Sequence, residues 1–224
     1  MSTALEHPSS TSNVHGAFVR DRLGTILALA PLGVWVVNHL WNNLAAFQGE
    51  VQWQRAVTEH AHPISELITF TLVLVPLFIH LIWGLRRLRH MKPNNASYGY
   101  FGNLKFLLQR LSALGVLAFL GAHLWLAFIS PRFFKHQPER FGDIASEMAH
   151  NPPTLVVYLL GTLGVAYHLA NGVSSSAMAL GLAISPRSHK RFDNLAAVLL
   201  VVFLTMAWGA IYALYRAGAA MPVH

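Results

Sequence analysis

Residues 161–172 read GTLGVAYHLANG and lie inside an apolar run from 155 to 184. A membrane crossing takes about 20 residues at about 1.5 Å each, so this run is long enough to be one. One ionisable residue, His168, stands near its middle, with Gly164 and Gly172 four residues to either side on the same helical face. An ionisable side chain at that depth is costly unless it is partnered, so it marks a functional position. The stripe of missing side chains predicts something flat and bulky against that face.

Composition supports a membrane setting for the whole chain. Of 224 residues, 54% are apolar and only 11% charged, and mean hydropathy is +0.43. That balance fits a polytopic membrane protein rather than a soluble domain. The net charge of +7 does not point to nucleic acid, because the basic residues cluster at the ends of apolar runs, where they set topology. With no cysteine, disulfides, iron–sulfur ligation by this chain and thioether-linked haem are excluded.

Five apolar segments follow a polar start: residues 22–47, 64–89, 104–129, 154–184 and 194–215. They predict an all-α, five-transmembrane-helix bundle over residues 21–217. Residues 1–20 read as a mobile cytoplasmic tail, since they lack the charged-then-apolar pattern of a signal peptide, and residues 218–224 as a short outer tail. With the N-terminus cytoplasmic, eleven Lys and Arg residues fall inside and five outside, which favours N-in and C-out. Two outer loops carry apolar residues at helical spacing, Val51 and Trp53 in one and Phe141, Ile144 and Met148 in the other. They predict short helices on the membrane surface.

Most of the 13 histidines fall in tails, loops or helix ends, as solvated or interfacial residues. Four do not: His39, His80, His123 and His168 occupy the first four apolar segments, one each. Singly, each could be a core histidine bonded to a neighbouring carbonyl. Together they pair by depth. Counted from the cytoplasmic ends, His39 and His123 lie roughly 25–28 Å in, and His80 and His168 roughly 15–24 Å in. Two imidazoles at one depth on facing helices are what a six-coordinate b-type haem requires, and two pairs predict two b haems. Zinc would need three or four ligands at one point. Pro76 and Gly84 flank His80 as Gly164 and Gly172 flank His168; small residues at these places also permit close helix packing. Haem propionates need cations, and Arg110, Arg22 and Thr25 stand near the inner level.

These residues resemble a known family, the cytochrome b subunit of succinate:quinone oxidoreductases (succinate dehydrogenase), in its five-helix, dihaem, single-anchor type. The matching stretches are residues 31–40 (PLGVWVVNHL), 76–80 (PLFIH), Gln109-Arg110 with His123-Leu-Trp125, and residues 167–172 (YHLANG) with 185–188 (SPRS). The resemblance implies that His39 and His123 bind a distal haem iron and His80 and His168 a proximal one. It implies a flavoprotein and an iron–sulfur subunit docked on the cytoplasmic face of a bacterial inner membrane, within a complex that can form higher oligomers. Electrons would pass from succinate to a membrane quinone, usually menaquinone in similar enzymes. The fumarate-reductase branch carries a glutamate two residues before the fourth ligand, linked to proton movement; here Ala166 stands there, which favours succinate oxidation. For the quinone, the resemblance points to the outer edge, where Asn43, Glu59 and Glu66 are candidates beside Asn42, His60 and His62.

Other functions are weighed by the same residues. A dihaem subunit of a different respiratory complex lacks the family stretches, and a histidine-relay transporter would show repeats and mid-helix acids that the sequence does not. A haemless anchor with structural histidines is separated from the leading reading by a haem assay.

Overall fold

The computed structural model describes Gly16 and residues 22–59, 64–89 and 99–222, with only the backbone at positions 65 and 66. The N-terminal tail (apart from Gly16), His60, His62 and the Glu66 side chain thus lie outside the described residues. Among the described residues, five helices are long and apolar enough to cross a membrane: α1 (Arg22–Gln48), α3 (Leu67–Arg89), α4 (Phe101–Phe134), α6 (Pro152–Ala179) and α7 (Pro186–Ala219). Between them lie two short helices, α2 (Glu50–Val57) and α5 (Phe141–His150). The described residues outside helices are turns and connections, and the chain is all-α.

Proline explains where the long helices widen. It has no N–H to donate, and its ring crowds the carbonyl four residues back. α1 takes π-helical geometry over Ala28–Gly33 around Pro31, and α4 does so over Trp125–Phe134 around Pro131. In α3 the widened turn is Phe70–Leu74, just ahead of Pro76. The carbonyl of Ala127, four residues before Pro131, accepts from Arg132 Nη1 at 3.4 Å. Such widened turns are tolerated in a bilayer because side chains re-satisfy the freed backbone groups.

Two helix ends differ from the sequence expectation. The fourth apolar run continues to residue 184, but α6 stops at Ala179, and Gly181 turns the chain with φ +76°. Leu182 and Ile184 are exposed in that turn, so their hydrophobicity extended the run past the helix. α7 starts at Pro186, well before residue 194. Ser185 and Ser188 form a reciprocal capping box, with Pro186 in the first turn. The earlier start brings Asp193 into a helix, where it pairs with Lys105 at 2.6 Å and accepts from Ser174 Oγ at 2.8 Å. One carboxylate thereby ties α7 to α4 and α6.

The bundle centres on α6, which packs against α4 on one side and α7 on the other, while α1 contacts α7 and α3 contacts α1. The two short helices cap one end. Trp53, Phe141, Ile144, Ala145 and Met148 are buried there with Ala46, Tyr158, Ile211 and Leu214, whereas Val51 is exposed. α5 lies so close on α7 that a side chain at Gly218 would strike the Ala145 carbonyl. Gln54 joins the two caps, donating from Nε2 to the Glu139 carbonyl at 2.9 Å and accepting from the Phe141 N–H at 3.1 Å. Elsewhere the long helices expose large apolar side chains outward, such as Phe78, Leu160 and Val201. In water that surface would drive aggregation; in lipid it is the ordinary exterior.

Candidate functional site

The fold brings the four intrahelical histidines together as two pairs. Near the capped end, His39 of α1 and His123 of α4 have ring centres 5.8 Å apart. Further along the bundle, His80 of α3 and His168 of α6 have ring centres 6.4 Å apart. An imidazole holds a metal with its nitrogen about 2 Å away and its ring centre roughly 1 Å further, so two rings sharing one ion stand about 6 Å apart. Both pairs meet that spacing. Among the described residues, no group of three or more His, Cys, Asp or Glu side chains could hold a metal ion, so each pair would offer an ion two imidazoles.

Each ring is also held from outside the pair. A ligating histidine normally donates its other N–H to a carbonyl or hydroxyl, which fixes its tautomer and orientation. His80 Nδ1 lies 2.9 Å from the Gly24 carbonyl. A carbonyl can only accept, so this nitrogen carries the proton and Nε2 keeps its lone pair. His168 Nδ1 is 3.3 Å from Ser112 Oγ, whose own hydrogen goes to the Gln109 carbonyl at 3.0 Å. Gln109 Nε2 lies 3.3 Å from the same nitrogen and donates to the His168 carbonyl at 3.1 Å. Asn171 in turn donates to Gln109 Oε1 at 2.8 Å.

At the capped-end pair, His123 Nδ1 meets the Tyr158 hydroxyl at 3.1 Å. His39 stacks on Trp35, with centres 4.8 Å apart. Asn43 donates to the His39 carbonyl at 2.9 Å and comes within 3.4 Å of its Nε2, while Trp53 Nε1 donates to Asn43 Oδ1 at 3.2 Å. The buried indole of α2 is thus linked through one amide to His39.

The other sequence candidates scatter more widely. Arg22 donates from Nε to the Ala179 carbonyl at the end of α6. Arg110 follows Gln109 on α4, its guanidinium 5.0 Å from the Phe106 ring centre. Thr25 is partly exposed on the turn after Gly24, and Glu59 is exposed just beyond α2. The α6 glycines face α4. The Phe119 ring occupies the space of a Gly161 side chain, while Gly164 meets Ser112 and Val116, and Gly172 meets Gln109 Nε2 at 3.7 Å. Ala166 is buried with Ala170 and Phe203 in the seam between α6 and α7.

Sequence reasoning missed Tyr158, Ser112 and the Gly24 carbonyl as partners of the histidines. Tyr158 lies ten residues before His168 and beside no motif, and a backbone carbonyl leaves no sequence signal at all. Gln109 and Asn171 stood in the quoted stretches, but without a role.

Five apolar helices enclosing two histidine pairs at two levels define an all-α integral membrane protein with the layout of a membrane cytochrome b. Residues 89–208 match the succinate dehydrogenase/fumarate reductase transmembrane subunit family, and the chain belongs to that family. It is 26% identical over 203 residues to the succinate dehydrogenase cytochrome b558 subunit of Bacillus subtilis, covering 88% of this chain and 96% of that protein. It is also similar to the succinate dehydrogenase hydrophobic membrane anchor subunit of Thermoplasma acidophilum, 30% identical over 123 residues that cover 54% of this chain and 93% of the other. No solved structure gives a significant match.

Proposed function

We propose that this chain is the membrane anchor and cytochrome b subunit of a succinate:quinone oxidoreductase of the bacterial cytoplasmic membrane. His80 and His168 would hold one b haem and His39 and His123 a second. The observation that carries the reading is the pair of ring separations, 5.8 and 6.4 Å, at two levels of one bundle. When bound, the haems supply one-electron relay sites between an iron–sulfur partner and a membrane quinone, which we take to be menaquinone. Succinate oxidation belongs to a flavoprotein partner, and the Bacillus relative is itself named as a succinate dehydrogenase subunit.

The chain's own residues do the rest. Gly24, Ser112 and Tyr158 fix the ligand rings, and Gln109 holds the His168 backbone. Arg110, Arg22 and Thr25 are the residues we assign to the propionates of the His80/His168 haem. Asn43 holds α2 over His39. Glu59 is the carboxylate we place at the quinone edge for proton exchange, with Glu66 as the neighbouring candidate. Ala166, apolar and buried against Phe203, gives no proton a foothold beside His168, which supports succinate oxidation without a proton path at that position.

The purified, assembled complex is expected to give a reduced-minus-oxidised b-type spectrum and two haems per copy of this chain by haemochrome assay. One haem or none would overturn the reading. Orientation is tested separately, because the chain has no cysteine of its own. In sealed spheroplasts a membrane-impermeant maleimide should label His136→Cys, beyond the end of α4, and spare Leu182→Cys, in the turn after α6. The reverse labelling would place the N-terminus outside.

A further inference from the structure

We infer that Tyr158 is a positioning residue for the His39/His123 centre: its hydroxyl oxygen accepts the Nδ1 proton of His123 and so sets that ligand's angle and basicity. The inference rests on the proposal that these two histidines share one haem.

The phenol is placed with little freedom. Tyr158 is only 8% exposed and belongs to the buried cluster under the cap. Its ring meets Phe119 edge-on, with centres 5.3 Å apart and planes at 88°. Phe119 in turn stacks on His123 at 5.5 Å and 25°. Gly161, one turn after Tyr158 on α6, makes the room that Phe119 needs. The three rings form a closed set from which the hydroxyl reaches Nδ1 at 3.1 Å. Among the described residues, no buried side-chain polar atom lacks a partner, and a phenol in such a place needs one.

The direction of the bond follows from ligation. If Nε2 binds iron, its lone pair is committed and the ring's remaining proton sits on Nδ1, so tyrosine must accept. An acceptor at that nitrogen raises the basicity of the ligand, which stabilises the oxidised metal. The four rings have different neighbours: the Gly24 carbonyl for His80, the Ser112 hydroxyl for His168, Asn43 for His39 and the Tyr158 phenol for His123. A change to the phenol therefore acts on one centre alone.

The test is a potentiometric titration of wild-type and Tyr158→Phe complexes, with low-temperature electron paramagnetic resonance of both oxidised forms. Phenylalanine keeps the ring against Phe119 and removes only the oxygen. Two haems are expected in each complex. In the variant one midpoint should rise, increasing the reduced-to-oxidised ratio of that haem several-fold at fixed poise (tenfold corresponds to 59 mV for one electron). The same haem's low-field resonance should move as its ligand ring turns, and the other haem should stay put. Thr162→Val, which removes a hydroxyl bonded to the Tyr158 carbonyl at 2.7 Å but leaves the phenol, should shift neither midpoint. Should Tyr158→Phe not assemble, 3-fluorotyrosine placed at position 158, which keeps the ring and the oxygen but weakens that oxygen as an acceptor, must assemble with two haems and raise one midpoint alone. The inference is overturned if midpoints and resonances in Tyr158→Phe match wild type, if both haems shift, if Thr162→Val shifts the same haem equally, if Tyr158→Phe loses a haem, or if 3-fluorotyrosine at position 158 leaves both midpoints where they are in wild type. Absence of haem from the wild-type complex would overturn the haem proposal itself, a different outcome.

Discussion

Replacing His168 by alanine is expected to lower the haem content from two per chain to one, removing the His80/His168 component and leaving the other titrating as in wild type. The two centres are separable because they sit at different levels of α6. Tyr158, which meets His123, and His168 are ten residues apart, about 15 Å along the helix axis. They also share no ligand and no hydrogen-bond partner. At the altered site His80 would keep its bond to the Gly24 carbonyl but lose its opposite number. Ser112 Oγ would lose one neighbour but keep its bond to the Gln109 carbonyl, so no polar group there is left without a partner. Gln109 would still bond the backbone carbonyl of residue 168 and Asn171, so α4 and α6 stay joined and the complex should assemble. The measurement is haem per chain with a redox titration of what remains. Loss of the His39/His123 component instead, or loss of both, would mean that the ligands are paired differently.

How much of this was legible in the sequence depends on whether a property is carried by one helix or by two. Length and apolarity belong to single segments, so all five crossings could be read directly. The two levels of histidines were legible because depth accumulates at a fixed rise per residue, and the fold joins the residues of equal depth. Helix ends were less so: residues 180–184 continue the hydrophobic run, and only Gly181 and the Ser185–Ser188 cap show that the helix has stopped. The short helices were anticipated at the membrane surface, but which faces they bury depends on their neighbours, α7 for α5 and α1 with α5 for α2, and Val51 faces outward while Trp53 turns in against Phe141. The partners of the rings were the least legible. Tyr158 and Ser112 are ordinary residues of an apolar helix until the neighbouring helix is placed beside them, and Asp193 looked like part of a loop until α7 was seen to begin at Pro186.

The α6 glycines show the same limit and yield the second large prediction. From the sequence they suggested a groove cleared for a flat ligand; in the fold Gly161 is filled by Phe119 of α4. Gly161→Val is therefore expected to damage the capped-end centre selectively. A β-carbon there would lie within the Phe119 ring, and the added valine methyls leave the ring only two responses. It can rotate off His123 and Tyr158, which it now touches on both sides, or α4 and α6 can part. Overpacking of this kind costs about 1–3 kcal/mol, and either response breaks the geometry that holds the Tyr158 hydroxyl against His123 Nδ1. The expected result is loss or strong disturbance of the His39/His123 haem signal, with the His80/His168 signal retained, because Ser112 Oγ and Gln109 Nε2 meet His168, about two turns after Gly161 on α6. Gly142→Ala, where an added β-carbon meets nothing within 4 Å, serves as the matched control and should leave both haems and the melting temperature unchanged. A Gly161→Val complex with two wild-type haem signals would show that Phe119 can be moved without cost, and that helix contact at this glycine does not control the site.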